Sequence, residues 1–252
     1  MPTLKRFFDD SLDNGSSLVK ISGDEFHHLK NVLRLSVGER VLVFNGRGLE
    51  AEGTIESIER DSASIRIGSV SDLKGLRESP VKIAVLQGLL KGDKNELVVQ
   101  KLTELGVSEV SFFGGGRAIA EIKDEGEGSG RLKRLKRAAI EAAKQSGRSM
   151  LPEIKIFNDI RAACAGRKDA LRIVLWEDES TMHLSDLLMK DALSVSILIG
   201  PEGGFSADEI KEAASAGFRP ASMGPRRLRS ETAAIAAAAI IGYSLGDLSI
   251  RA

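Results

Sequence analysis

The chain has 252 residues, 42% hydrophobic and 29% charged, enough to bury one large core or two modest ones. Its 36 lysines and arginines balance 36 aspartates and glutamates, so no overall positive field draws nucleic acid, and RNA binding would have to use local patches. A single cysteine, Cys164, excludes an internal disulfide and a cysteine-built zinc site, and three histidines leave little for a histidine-rich metal centre.

The N-terminal residues lack the charged-then-apolar form of a signal peptide. The longest apolar run, near Ala233 to Ile241, is too short and alanine-rich to span a bilayer. A soluble, cytoplasmic protein without membrane or metal partners is expected. Residues 1–75 read as a small β domain. Ser22 and Glu25 have capping-box spacing and open a short helix through His27, His28 and Val32. Adjacent residues on a helix point about 100° apart, so the histidine pair predicts one packed and one exposed ring rather than a metal site. Residues 40–44, 49–58 and 63–70 alternate like strands, and Asn45-Gly46 signals a tight turn. The polar, aperiodic stretch SDLKGLRESP (71–80) reads as a linker, with a second domain over 76–252.

From residue 81 the rhythm becomes α/β. Strands are predicted at 81–87, 109–113 and 171–176, and helices at 93–105, 130–145 and 184–190. Asp93 with Glu96 looks like a second capping pair, and Gly106 like a helix stop. Alternating strands and helices imply a mostly parallel sheet covered on both faces. The apolar run 195–199 then stops at Gly200-Pro201-Glu202-Gly203-Gly204. A helix follows, with Ser206 as N-cap, Glu209 as its reciprocal partner and Gly217 as its stop. A second Gly-Pro turn, Gly224-Pro225, leads through Arg226 to Thr232 into a small-residue helix. Two tight turns, each after a strand and beside a helix N-terminus, are how α/β proteins build ligand sites from backbone amides. Neither fits a P-loop, and no GxGxxG follows a strand.

GPEGGFS followed by GPRRLRSETA resembles the C-terminal signature of SPOUT methyltransferases, and more narrowly the RsmE family, which methylates N3 of a uridine in 16S ribosomal RNA. Arg6-Phe7-Phe8, HHLKNVLR (27–34), Lys91-Gly92-Asp93-Lys94, KLTELG (101–106) and Gln145-Ser146-Gly147-Arg148 resemble that family in the same order. Met223 and Arg227 stand where it has Leu and Ile. The resemblance implies a PUA-like RNA-binding β-barrel over 1–75 and a trefoil-knotted SPOUT domain over 76–252. Periodicity cannot reveal a knot. It assigns Gly200, Pro201, Glu202, Gly203, Met223, Gly224 and Leu228 to S-adenosylmethionine, with Leu175 and Trp176 closing the pocket.

Loss of the uracil N3 proton leaves negative charge on the flanking carbonyl oxygens. Arg229, always charged and with a planar fork of donors, is the first candidate to stabilise it. Glu231 is the candidate to orient that arginine or to assist proton removal, its bland role being a first-turn acid. The helix from Arg131 to Arg148 carries seven cations against one acid, so Arg134 and Arg137 are candidate phosphate contacts. Gln145 and Arg148 match the family beside the target nucleotide, and Lys91 and Lys94 flank a strand end. By resemblance Arg6 and Arg34 contact RNA, while Phe7 and Phe8 are core. The last helix is apolar on nearly every face, so it is enclosed within the domain or between subunits. Family members pair there, which implies a homodimer acting on 16S RNA in the small ribosomal subunit. The rivals are a non-catalytic RNA-binding or ribosome-assembly factor, and a SPOUT enzyme modifying another RNA position.

Overall fold

The computed structural model describes residues 4–114, 130–188 and 191–249. The chain packs as two units: Met1–Glu78 with Ala143–Leu151, and Ser79–Ala142 with Pro152–Ala252. Linker composition alone puts the cut near 75 and gives no sign of the returning segment 143–151.

The first unit is a five-stranded sheet of β1 (Lys5–Phe8), β2 (Leu18–Ser22), β3 (Arg40–Phe44), β4 (Leu49–Ile58) and β5 (Ser62–Asp72), in the order β1-β3-β4-β5-β2. β1 and β3 run parallel; the other pairs are antiparallel. Alternation puts Ala51, Gly53 and Ile55 of β4 inside and Glu52, Thr54 and Glu56 outside. Two register shifts between β4 and β5 bend the pair, so that Phe7, Ile21, Leu29, Val41, Val43 and Ile65 close into one core. Asn45 forms the expected turn and does more: its Oδ1 accepts from the amides of Arg47 (2.8 Å) and Leu49 (3.1 Å), and its Nδ2 donates to Leu12 O.

Between β2 and β3 lie α1 (Gly23–His27) and one π-helical turn, His28–Val32. Ser22 stands at the N-cap position without a side-chain cap. Glu25 is engaged elsewhere, accepting from Phe8 N (2.9 Å) and Lys144 Nζ (2.9 Å), so tertiary partners replace the predicted capping box. His27 is exposed and His28 packs edge-on against Phe7. The segment 143–151 anchors this unit through buried charge. Arg148 grips Glu78 with Nε (3.1 and 3.2 Å) and Nη2 (2.6 Å). Arg6 pairs with Glu50 (2.6 Å) and donates to Arg148 O, while Ser149 Oγ donates to Glu50 (3.0 Å).

The second unit contains β6 (Lys82–Gly88), α2 (Lys94–Glu104), β7 (Glu109–Phe113), α3 (Gly130–Ser146, counted with the first unit from Ala143 on), β8 (Glu153–Phe157), α4 (Ile160–Cys164), β9 (Leu171–Leu175), α5 (Leu184–Leu187), β10 (Ser194–Ile199), α6 (Ala207–Ser215), β11 (Arg219–Ala221) and α7 (Ser230–Ser244). All six strands are parallel, in the order β11-β9-β10-β6-β7-β8. β6 and β10 are buried almost throughout, which is why they read as unbroken apolar runs. Steps from β6 to β8 move outward on one side, and β9 then starts the other side. The order therefore reverses between β6 and β10, where open α/β sheets form a crevice.

Local signals hold unevenly here. Ser206 and Glu209 make the reciprocal capping box, each receiving the other's amide (3.2 and 2.8 Å). Asp93 makes no side-chain cap, and Glu96 pairs instead with Arg134 (3.4 Å). The helix predicted over 184–190 is a single described turn; residues 189 and 190 lie outside the described residues. β1, β2, β8 and β11 are too short or too polar to have been separated from loop by period alone. α7 packs one face, Ala234, Ala237, Ala238 and Ile241, against α2, β6 and β10. Its other face leaves Ile240 and Tyr243 exposed.

Cys164 lies 4% exposed in the α4–α6 core, and burial pushes its thiol up to about 12. At pH 8 only about one molecule in ten thousand then carries the reactive thiolate. We expect a thiol reagent such as DTNB to leave the native protein unmodified at pH 8 and to titrate one equivalent after denaturation. Rapid native labelling would contradict this burial.

Candidate functional site

Three loops meet at the carboxyl ends of the strands. After β10, Gly200-Pro201-Glu202-Gly203-Gly204 closes on itself, Gly204 N donating to Pro201 O (3.0 Å). This turn sits directly on the end of β6. A Cβ on Gly88 would lie 2.5 Å from Pro201 N and 3.0 Å from Gly200 C, so only glycine lets the two backbones touch. After β11, Gly224 takes a φ of +100°, and a Cβ there would project into open space.

The third loop follows β9 and is knitted to the β11 turn. Trp176 N donates to Ala221 O (3.0 Å), Ser222 N to Met182 O (2.9 Å), and Leu184 N to Ser222 O (2.9 Å). Within it, Glu179 accepts from Thr181 Oγ1 (2.6 Å), Thr181 N (2.7 Å) and Met182 N (3.1 Å). These bonds, led by the Thr181 hydroxyl, hold its carboxyl at about 2. Leu175, Trp176 and Met223 are half-buried, and Leu228 is exposed. These loops bring together apolar side chains and backbone polar groups, the combination typical of a small-molecule site.

A charged cluster borders the same turn. Lys94 Nζ lies 3.0 Å from Glu202 and 3.5 Å from Glu231. Hydrogen bonding to Glu202 raises the Lys94 pKa. Partial burial works to raise that of Glu202, but the bonds from Lys94 and Lys91 N outweigh it and hold this carboxyl below its ordinary range. Glu231 is 9% exposed, and its Oε2 has no partner among the described residues. Arg229 occupies the N-cap position of α7 in extended conformation, with an exposed side chain that forms no ion pair among the described residues. Glu231 therefore pairs with Lys94, not with the arginine it was expected to orient. Arg227 lies 3.5 Å from Glu177.

The sequence-derived RNA contacts divide in two. Arg34 (φ +54°), Lys91, Arg134, Arg137 and Gln145 are exposed. Arg6 and Arg148 are buried in their pairs with Glu50 and Glu78, and Lys94 is held between two carboxylates. The sequence reading missed Gln87 and Ser230, which join β6, the Gly200 turn and α7; the one hint is a glutamine in an apolar strand. A separate hollow of about 790 Å³ lies between α4 and α6, lined by Ile160, Arg161, Cys164, Arg167, Arg172 and Glu212. It sits at the amino ends of β9 and β11, away from the loops. Its cations are occupied: Arg161 by Glu212 (2.6 Å), Arg167 by Glu109, and Arg172 by the carbonyls of Arg167 and Ala216.

Among the described residues, no cluster of three or more His, Cys, Asp or Glu could hold a metal ion, and no helix is long and apolar enough to cross a membrane. A family model for the RNA methyltransferase domain matches residues 77–242, and one for the RNA methyltransferase PUA domain matches residues 21–68. Ribosomal RNA small subunit methyltransferase E of Bacillus subtilis is 30% identical over 88% of this chain and 89% of its own length. A methyltransferase structure from Legionella pneumophila with bound SAM superposes with a TM-score of 0.90 at 32% identity, covering 98% of this chain and 100% of that one. Ribosomal RNA small subunit methyltransferase E from Neisseria gonorrhoeae, bound to S-adenosyl methionine, gives 0.84 at 28% identity over 98% and 100%.

The burial of Arg148 separates a structural role from an RNA contact. Replacing it with alanine strands Glu78 as a buried, unpaired charge, and we expect Arg148→Ala to cost about 3–5 kcal/mol in denaturant unfolding. A change within about 0.5 kcal/mol, the range of ordinary surface substitutions, would return Arg148 to the surface.

Proposed function

The chain belongs to the RNA methyltransferase family that includes ribosomal RNA small subunit methyltransferase E, and on that footing we propose that it methylates N3 of a uridine in 16S ribosomal RNA with S-adenosylmethionine as donor. One observation carries this reading: the turn after β10 is hydrogen-bonded through Gly200 to Ser230, the neighbour of Arg229, while the loops after β9 and β11 are bonded to each other. The residues suit such a donor. Gly200, Pro201, Glu202 and Gly203 bring backbone groups close, Met223 and Gly224 leave an open face, and Leu175, Trp176 and Leu228 supply apolar cover.

When bound, the sulfonium donor supplies a methyl group already activated for transfer, so the protein's task is placement and charge. Arg229 stabilises the negative charge that spreads over the uracil carbonyls as N3 loses its proton. Glu231, buried beside Lys94, keeps a role at the base of that helix. The exposed Arg34, Lys91, Arg134, Arg137 and Gln145 are the residues we assign to RNA, while Arg6 and Arg148 hold the scaffold. A trefoil knot belongs to the same reading. So does a cytoplasmic location, where the small subunit is found.

We expect Arg229→Ala to lower methylation of isolated small subunits by about 10²–10³-fold, the loss typical of removing one charge-stabilising donor, while donor binding by calorimetry stays unchanged. Nucleoside mass analysis should find N3-methyluridine. A ribose-methylated product would overturn the assignment of the acceptor atom, and full turnover by Arg229→Ala would overturn the role of the arginine.

The open face of α7, with Ile240 (40% exposed) and Tyr243 (66% exposed), favours a homodimer that covers it. Light scattering at micromolar protein should give twice the 27.0 kDa of one chain. Conversion to monomer by Tyr243→Glu would support this face as the contact, and a monomeric mass for the unaltered protein would exclude it.

A further inference from the structure

Gln87 is the one polar residue within the buried run of β6, and it is wholly enclosed. An amide buried there is costly unless its N–H groups are needed. Its Nε2 lies 2.7 Å from Ser230 Oγ, 2.9 Å from Gly88 O and 3.3 Å from Gly200 O. Three oxygens around one nitrogen fix the amide's orientation, and Oε1 is left without a partner among the described residues. Ser230 Oγ accepts from Gln87 and donates in turn to Gly200 O. The hydroxyl is therefore spent on the donor turn rather than on capping its own helix.

The same two segments are joined a second time. Lys94 bridges Glu202, in the turn, and Glu231, next to Ser230. That link is partly exposed and weak in water, whereas the amide–hydroxyl relay is buried. Arg229 is the residue immediately before both attachments on α7. Its place relative to the turn is thus set by these two links.

We infer that Gln87 is a positioning residue which, acting through the Ser230 hydroxyl, holds Arg229 in register with the Gly200–Pro201 turn. This rests on the proposed donor site and on Arg229 acting at the reacting base. Displacement of a catalytic group by about 1 Å costs on the order of 10²-fold in rate.

The test uses the full chain with isolated small ribosomal subunits, comparing Gln87→Leu, Ser230→Ala, Ser230→Thr, Arg229→Ala and the double variant Gln87→Leu with Arg229→Ala. Thermal unfolding, calorimetric titration with S-adenosylmethionine, and kcat are measured for each. We expect Gln87→Leu and Ser230→Ala to lower kcat about 10²-fold with donor Kd changed less than about threefold, Ser230→Thr to restore kcat, and Gln87→Leu to add nothing further to Arg229→Ala. Should Gln87→Leu fail to fold, the Ser230 pair decides. Unchanged kcat in Ser230→Ala beside an inactive Arg229→Ala overturns the positioning role alone. A parallel loss of kcat and donor affinity in a stable Ser230→Ala also overturns it, because the hydroxyl then only shapes the donor turn. Full activity of Arg229→Ala removes the catalytic reading on which it depends.

Discussion

At the carboxyl end of β6 the backbone of Gly88 lies against Gly200 and Pro201 with no room for a side chain. That approach is imposed by the sheet, because β6 and β10 are hydrogen-bonded neighbours on either side of the reversal in strand order. Once the two ends touch, the turn after β10 cannot splay outward. The amide of Gln87 and the hydroxyl of Ser230, bonded to each other, then both reach Gly200 O. The Gly200 turn, the central strand and the final helix so form one hydrogen-bonded unit. The exposed Arg229 is mounted on it rather than carried by a free loop.

The charges of this neutral chain balance in number, and a few of them are turned inward. Arg6, Lys144 and Arg148 are each committed to a carboxylate within the first unit, and Arg167 to Glu109 within the second. Buried pairs of this kind add little net stability over apolar packing, but they penalise any arrangement that breaks them. They act as selectors of one register. The exposed cations, among them Arg34 and Lys91, are fewer than a count along the sequence suggests. A cation-rich helix is therefore a poor guide to which of its members face solvent.

The general architecture was legible because period and glycine placement are local properties. Strands β3, β4 and β7, the capping box at Ser206 and the stops at Gly106 and Gly217 appear where alternation and turn chemistry put them. Capping at Ser22 and Asp93 was misread because Glu25 and Glu96 have partners distant in sequence, Lys144 and Arg134, that no local window contains. The two Gly-Pro turns were legible as turns at strand ends, whereas the bonds that tie the β11 turn to the β9 loop join segments some forty residues apart that no local window contains. Gln87 was not legible, since its meaning comes from Ser230, 143 residues away. The exchange of Arg229 for Lys94 as the partner of Glu231 is likewise a matter of direction, which spacing on a helix does not settle.

The returning segment 143–151 bears on how the chain is made. Arg6 and Glu50 leave the ribosome early, yet the carbonyl of Arg148 and the hydroxyl of Ser149 that complete their network are synthesised about a hundred residues later than Glu50. At elongation rates of about 5–20 residues per second, that is a wait on the order of 5–20 seconds. Through that interval the β1–β3–β4 sheet can pair, but two of its inward charges lack their full set of partners. The N-terminal unit is thus first in sequence without being first to finish, and its final closure falls when more than half of the chain has been translated.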